Sequence, residues 1–166
     1  MATSPEEELM RCLAELGIAV TMHRHPPLFT VEQSRHLRGE IPGAHTKNLF
    51  LKDRKERYFL VTAEEDAELD LKSIHRLIGA SGRVSFGKPD MLMALLGVVP
   101  GAVTPFGVLN DHEGRVTMVL DEALMDSEII NAHPLHNEAT VSLRRDDLLR
   151  FLEATGHPPL ILKVSQ

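Results

Sequence analysis

The sequence predicts an α+β domain built on a mixed sheet, and three observations carry that reading. Apolar segments of helical and of strand period follow one another without the regular βαβ alternation of a doubly wound fold. Two strand-like runs, Lys47 to Lys52 and Tyr58 to Thr62, are separated only by the polar turn Asp53-Arg54-Lys55-Glu56, a hairpin signal. The chain has 166 residues and is 43% hydrophobic, enough for one sizeable core, so residues 1–166 are expected to form one domain.

Each element has a local reason. Ser4-Pro5-Glu6-Glu7 places an N-cap serine, a proline at the first helical position and a glutamate at the third, and Leu9, Cys12, Leu13 and Leu16 then recur at helical spacing until Gly17. Cys12 falls on that apolar stripe and reads as a small core residue. Ile18 to Met22 reads as a short strand broken by His23-Arg24-His25-Pro26-Pro27, before a helix capped by Thr30 with Gln33 at its third position. After a loop over Gly39 to Gly43 comes the hairpin, where Lys47, Leu49 and Leu51 share one face and Asn48, Phe50 and Lys52 the other. Asp70 caps a helix through Ile78, Ser81 to Phe86 is extended, and Pro89 opens a helix over Asp90 to Leu96 that Gly97 stops. Strands are expected at Phe106–Leu109, Arg115–Leu120, Glu128–Ala132, Ala139–Leu143 and Pro159–Val164, with a helix from Asp146 to Ala154 ended by Gly156.

Composition excludes several classes. A single cysteine offers no disulfide framework, no apolar run approaches the roughly 18–20 residues of a membrane span, and the acidic start is unlike a signal peptide. A cytoplasmic setting is the simpler reading. Aromatics make up 4%, which disfavours a stacking track for single strands. A net charge of −6 argues against a wide phosphate footprint and against DNA as a partner. The charge is uneven, however. From Arg35 to Arg57 seven bases face three acids, a net +4 that leaves −10 for the remainder, so a local contact with the end of a nucleic acid stays open.

Two distant segments suggest a site for a small polar ester or carbonyl. Lys47 begins a strand of otherwise apolar register with Asn48 beside it, and the two share a site only where the strand is irregular at its start. Gly101-Ala102-Val103-Thr104-Pro105 is a Gly/Pro loop able to aim backbone N–H groups at a carbonyl or oxyanion. Each has a plainer alternative, a snorkelling lysine and an ordinary loop. His133 follows a strand end, where a structural histidine is an equal reading. His133-x-x-His136 contains Pro134, which spoils the helical spacing a zinc hydrolase wants, and no serine sits in a nucleophile elbow.

On His45-Thr46-Lys47-Asn48-Leu49-Phe50-Leu51-Lys52-Asp53, Leu60-Val61, Gly101-Ala102-Val103-Thr104-Pro105-Phe106-Gly107 and Asn131-Ala132-His133-Pro134 with Thr140, the chain resembles the prolyl-tRNA synthetase associated, YbaK-like editing domains, and within them the free-standing ProX-type alanyl-tRNA(Pro) deacylases. The resemblance runs from Ser4 to Val164. It implies a central mixed, mostly antiparallel and partly barrel-like sheet flanked by helices, with no metal and no cofactor. It implies hydrolysis of mischarged aminoacyl-tRNA, most simply Ala-tRNA(Pro), with Lys47 as the essential lysine. Asn48, His133 and the loop Gly101, Ala102, Val103, Thr104 and Pro105 are then substrate-binding. The partner is the acceptor end of tRNA for proline, and a transient contact with prolyl-tRNA synthetase is allowed. Two other readings stand beside it: a non-catalytic tRNA or synthetase accessory module, and a metal-dependent hydrolase of small esters.

Overall fold

The structure, a computed structural model, describes residues 3–27 and 40–166. The expected Thr30-capped helix lies outside the described residues. Helix α1 spans Pro5–Glu15, and the Ser4 hydroxyl accepts from the Glu7 N–H at 3.2 Å, as its capping sequence requires. It buries Leu9 and Leu13 and ends through Gly17 at φ 72°, with the Ile18 N–H donating to the Leu13 carbonyl at 2.9 Å. Cys12 packs half-buried against this core, and burial pushes its thiol pKa up.

Strands follow at β1 (Thr21–Arg24), β2 (Ala44–Lys52) and β3 (Tyr58–Glu64). Helix α2 (Ile74–Ile78), strand β4 (Ser85–Phe86) and helix α3 (Pro89–Leu96) come next. Strand β5 (Val116–Asp121), β6 (Ile129–Ala132), β7 (Ala139–Arg144), helix α4 (Arg145–Ala154) and β8 (Leu160–Leu162) complete the order. Among the described residues the strands run β1-β7-β6-β2-β3-β5-β8, with β4 added on β2. The pairs β1/β7, β6/β7, β2/β3 and β2/β4 are antiparallel, and β2/β6, β3/β5 and β5/β8 are parallel. The sheet is therefore mixed with an antiparallel majority, and its path is open, ending at β1 and β8. No described helix is long and apolar enough to cross a membrane.

Both faces of the central strands are covered, which explains why β3 is buried almost throughout instead of alternating. On one face Phe50, Leu60 and Met118 pack with Leu13 of α1, Leu96 of α3 and Phe151 of α4. On the other, Leu51, Phe59 and Val61 meet Ile74 and Ile78 of α2. Phe106 and Phe151 meet edge to face at 5.4 Å, and full burial of each is worth about 2–3 kcal/mol.

Several expectations needed correction. Phe106–Leu109 is not a strand but part of a 3₁₀ helix over Pro105–Asn110, because Thr104 caps it by accepting from the Phe106 N–H at 3.3 Å. Gly107 seats that turn against α3, since a Cβ there would lie 2.9 Å from the Leu96 Cβ. The strand expected at Ile18–Met22 begins at Thr21 and includes His23 and Arg24, since the Ile18 N–H closes α1 and pairing with β7 starts only at Thr21↔Ser142. Asp70 holds a turn, accepting from the Lys72 N–H and the Ser73 hydroxyl, and the helix proper starts at Ile74. Of Ser81–Phe86 only Ser85 and Phe86 pair, and of Pro159–Val164 only Leu160–Leu162.

Candidate active site

The site is best built from β2 outward. Its pairing with β3 is unbroken from Thr46↔Glu64 to Lys52↔Tyr58, so successive side chains alternate and the irregular start expected at Lys47 is absent. Its other edge meets β6 at Ala44 and His45, and β4 at Leu51 and Lys52. On that edge the Gly87 N–H donates to the Phe50 carbonyl at 2.9 Å, and residues 46–49 have no strand partner there among the described residues. The gap from His45 to Phe50 spans about 17 Å of strand edge, a notch in the sheet between β6 and β4.

Asn48 ties one face of this notch to the 101–105 loop. Its Nδ2 donates to the Val103 carbonyl at 3.0 Å, and the fully buried Thr62 donates its hydroxyl to Asn48 Oδ1 at 2.5 Å. The Thr62 bond orients the carboxamide, because a flipped amide would set two oxygens against each other at Val103. Gly101 adopts φ 92°, a left-handed conformation suited to glycine. The Ala102 N–H is spent on the Val99 carbonyl at 3.0 Å, and Pro105 has no N–H. The amides of Gly101, Val103 and Thr104 carry no hydrogen bond among the described residues.

Lys47 points to the opposite face. Its Nζ donates to the carbonyl of Ala67, in the turn that the Ala67 N–H closes onto the Glu64 carbonyl. His133 follows β6, and in the parallel register His45 stands beside Asn131, so Lys47 and His133 are each two residues further along diverging strands. The His133 Nδ1–H donates to the Ala139 carbonyl at 3.0 Å. Burial pushes its pKa down from the usual 6.5, helped by the charges of His25 and His136 and opposed by the Ala139 bond and by Glu65. A neutral ring with its proton on Nδ1 leaves Nε2 as an acceptor. His25 stands 6.4 Å from the His133 ring; its Nδ1–H donates to the Pro26 carbonyl, and its Nε2 shares a hydrogen bond with the Thr140 hydroxyl at 2.9 Å.

A model of the family described as "Aminoacyl-tRNA editing domain" matches residues 25–151. The chain belongs to that editing-domain family. It is 41% identical over 158 residues to prolyl-tRNA synthetase associated domain-containing protein 1 of Danio rerio, covering 94% of this chain and 85% of that protein. It is 37% identical over 158 residues to the prolyl-tRNA editing protein ProX of Acetoanaerobium sticklandii, covering 95% and 96%. Its fold matches, with a TM-score of 0.71 and 22% identity over 98% of this chain and 99% of the other, a crystal structure of a candidate trans-editing enzyme for prolyl tRNA synthetase.

Within this editing domain the expected site residues are therefore brought together in part. Asn48 is bonded to Val103, and the loop reaches the segment after His133, since a Cβ on Gly101 would lie 3.9 Å from Asn137 Nδ2. The Lys47 ammonium rests on Ala67, away from the loop. Two contributors were not singled out from sequence. Thr62 is the cross-strand partner of Asn48, a pairing that follows from the hairpin register once the turn at 53–56 is recognised. The Ala67 carbonyl has no side-chain signature at all. The His133-x-x-His136 pair diverges, His136 Nε2 meeting Glu6 Oε1 at 2.7 Å, and no group of three metal-ligating side chains occurs among the described residues.

Proposed function

We propose that this editing domain hydrolyses the ester of a mischarged aminoacyl-tRNA, with Ala-tRNA(Pro) as the first substrate to test. The observation that carries the reading is the notch in β2, bordered by an anchored loop with free amides on one face and an ammonium on the other. The terminal adenosine lies along the strand edge. Lys47 leaves the Ala67 carbonyl for the substrate, exchanging one oxygen acceptor for an anionic one. Free amides of the 101–105 loop receive the carbonyl oxygen as it gains charge. His133 Nε2 accepts a hydrogen bond from the aminoacyl ammonium.

Water forms the new C–O bond at the carbonyl carbon and the bond to the 3′ oxygen breaks. A proton from water reaches that oxygen by way of the neighbouring 2′-hydroxyl, giving free amino acid and uncharged tRNA. This scheme uses no protein base: His133 Nε2 is taken up by the aminoacyl ammonium, and the proton passes through the 2′-hydroxyl. Size selection in a small pocket is worth about 1–3 kcal/mol per methylene, which suits a site that admits alanine and refuses proline.

The docking of Lys47 on Ala67 favours one second reading, a module that binds tRNA without turnover. Incubation with Ala-tRNA(Pro) separates the two. Hydrolysis by the protein that is lost in Lys47→Ala and on a 2′-deoxy terminal adenosine supports the enzyme, and absence of any hydrolysis supports the module.

A further inference from the structure

Phe86 is the one large aromatic ring standing well out of the described surface, at 58% exposure in a chain with six phenylalanines, one tyrosine and no tryptophan. Strand β4 is only two residues long, and Val84 and Leu51 join the cluster under α2 while Phe86 does not, so packing does not require a ring there. Lone surface hydrophobics are ordinary, so the surroundings must decide.

Those surroundings are cationic and built as one unit. The buried carboxylate of Asp53 accepts from the N–H groups of Lys55, Arg57 and Ser81, at 2.9 Å each, and from Arg57 Nε. Burial raises the Asp53 pKa, but these donors outweigh it and hold the group charged. The Arg54 N–H donates to the Ser81 carbonyl, and the Arg54 side chain covers Gly82, where a Cβ would fall 2.5 Å from its Cδ. The β2–β3 turn and the 81–83 bend are thus tied together and carry exposed Arg54, Lys55, Arg57 and Arg83 against exposed Glu56, and exposed Lys88 follows Phe86 by two residues with exposed Asp90 beyond it. A positive face on a chain of net −6 fits a phosphate backbone, and an exposed ring within it fits a base.

Register places this ring relative to the proposed site. Phe86 pairs with Leu51, and cross-strand partners share a face, so Phe86 lies on the Lys47 side of the sheet. Leu51 is four residues beyond Lys47, about 13 Å along β2. Four stacked unpaired nucleotides, the length of a tRNA 3′ tail, span about 14 Å.

Resting on the deacylase reading, we propose that Phe86 is a stacking platform for the end base pair of the tRNA acceptor duplex, with Arg54, Arg83 and Lys88 receiving its phosphates. The 3′ tail then runs along the β2 edge into the notch.

The test compares Ala-tRNA(Pro) with 2′(3′)-O-alanyl-adenosine, which lacks the duplex, together with equilibrium binding of uncharged tRNA. Phe86→Ala is expected to raise KM for the tRNA about tenfold with kcat kept, weaken uncharged-tRNA binding by the same factor, and leave the adenosine ester unaffected. Phe86→Trp is expected to restore binding, and Arg83→Glu to flatten its salt dependence by about one unit of slope. An unchanged tRNA KM and affinity in Phe86→Ala, an equal loss on both substrates, or a change confined to oligomeric state would overturn the proposal. Wild-type protein inert on both esters overturns the deacylase reading instead, and the uncharged-tRNA arm still judges Phe86.

Discussion

His157 and His133 are two histidines in opposite situations. His157 is 4% exposed and both ring nitrogens are engaged, one with Thr155 Oγ1 at 3.1 Å and the other with Asp111 Oδ2 at 2.8 Å. Asp111 also accepts from the N–H groups of Arg115 and Val116, so this cluster is closed on itself. His133 has one nitrogen on the Ala139 carbonyl, the other without a partner among the described residues, and a strand edge beside it. The difference separates structure from function in physical terms: a polar group whose partners are all internal stabilises the fold, and one with spare capacity at an opening can bind something else.

The sharpest way to break that comparison is Asp111→Ala, which leaves His157 buried without its partner. It is expected to lower unfolding free energy by about 3–5 kcal/mol in urea titration, with hydrolysis preserved well below the melting temperature. Lys47→Met comes next. Hydrolysis of Ala-tRNA(Pro) should fall about 100-fold or more while stability moves by no more than about 1 kcal/mol, and a large loss of stability with little loss of rate would make Lys47 a structural residue. Thr62→Val strands the Asn48 oxygen and loosens the loop at Val103; it should cost about 1–3 kcal/mol, with Thr62→Ser restoring most of it in the same titration.

His133 gives a smaller, pH-dependent effect. Its folded pKa lies below the unfolded 6.5, so the unfolded chain binds the proton more readily and protonation opposes folding. The contribution of the neutral ring is complete above that unfolded value and is lost as pH falls through it toward the lower folded value. Melting temperatures of wild type and His133→Gln, compared between about pH 5 and about pH 7.5, should converge toward the acid end. The smallest change is Glu6→Gln at the surface, where Arg24 chelates the carboxylate at 2.7 and 2.8 Å and lowers its pKa; we expect at most about 1 kcal/mol, vanishing in high salt.

What could be read from sequence follows the range of the interactions involved. Helix α1 was legible because Ser4, Pro5 and Glu7 act within one turn, and α3 because Pro89 opens it and Gly97 closes it at φ 68°. The apolar run after Pro105 is ambiguous in sequence, since four apolar residues fit either period and docking of Gly107 on Leu96 decides the outcome. Within the site, the Asn48 and Thr62 pairing was implicit in the hairpin, whereas the Lys47 acceptor is a backbone carbonyl that any residue at 67 would supply.

By itself the sequence determined the ends of α1 and α3, the β2–β3 hairpin register and the alternation that sets Lys47 and Asn48 on opposite faces. Only the tertiary structure decided that β6 and β4 approach the same edge of β2 and stop short of each other, leaving the notch between them. Those pairings join segments tens of residues apart. No local preference specifies where such strands meet, so the packing of the whole core sets the size of the opening.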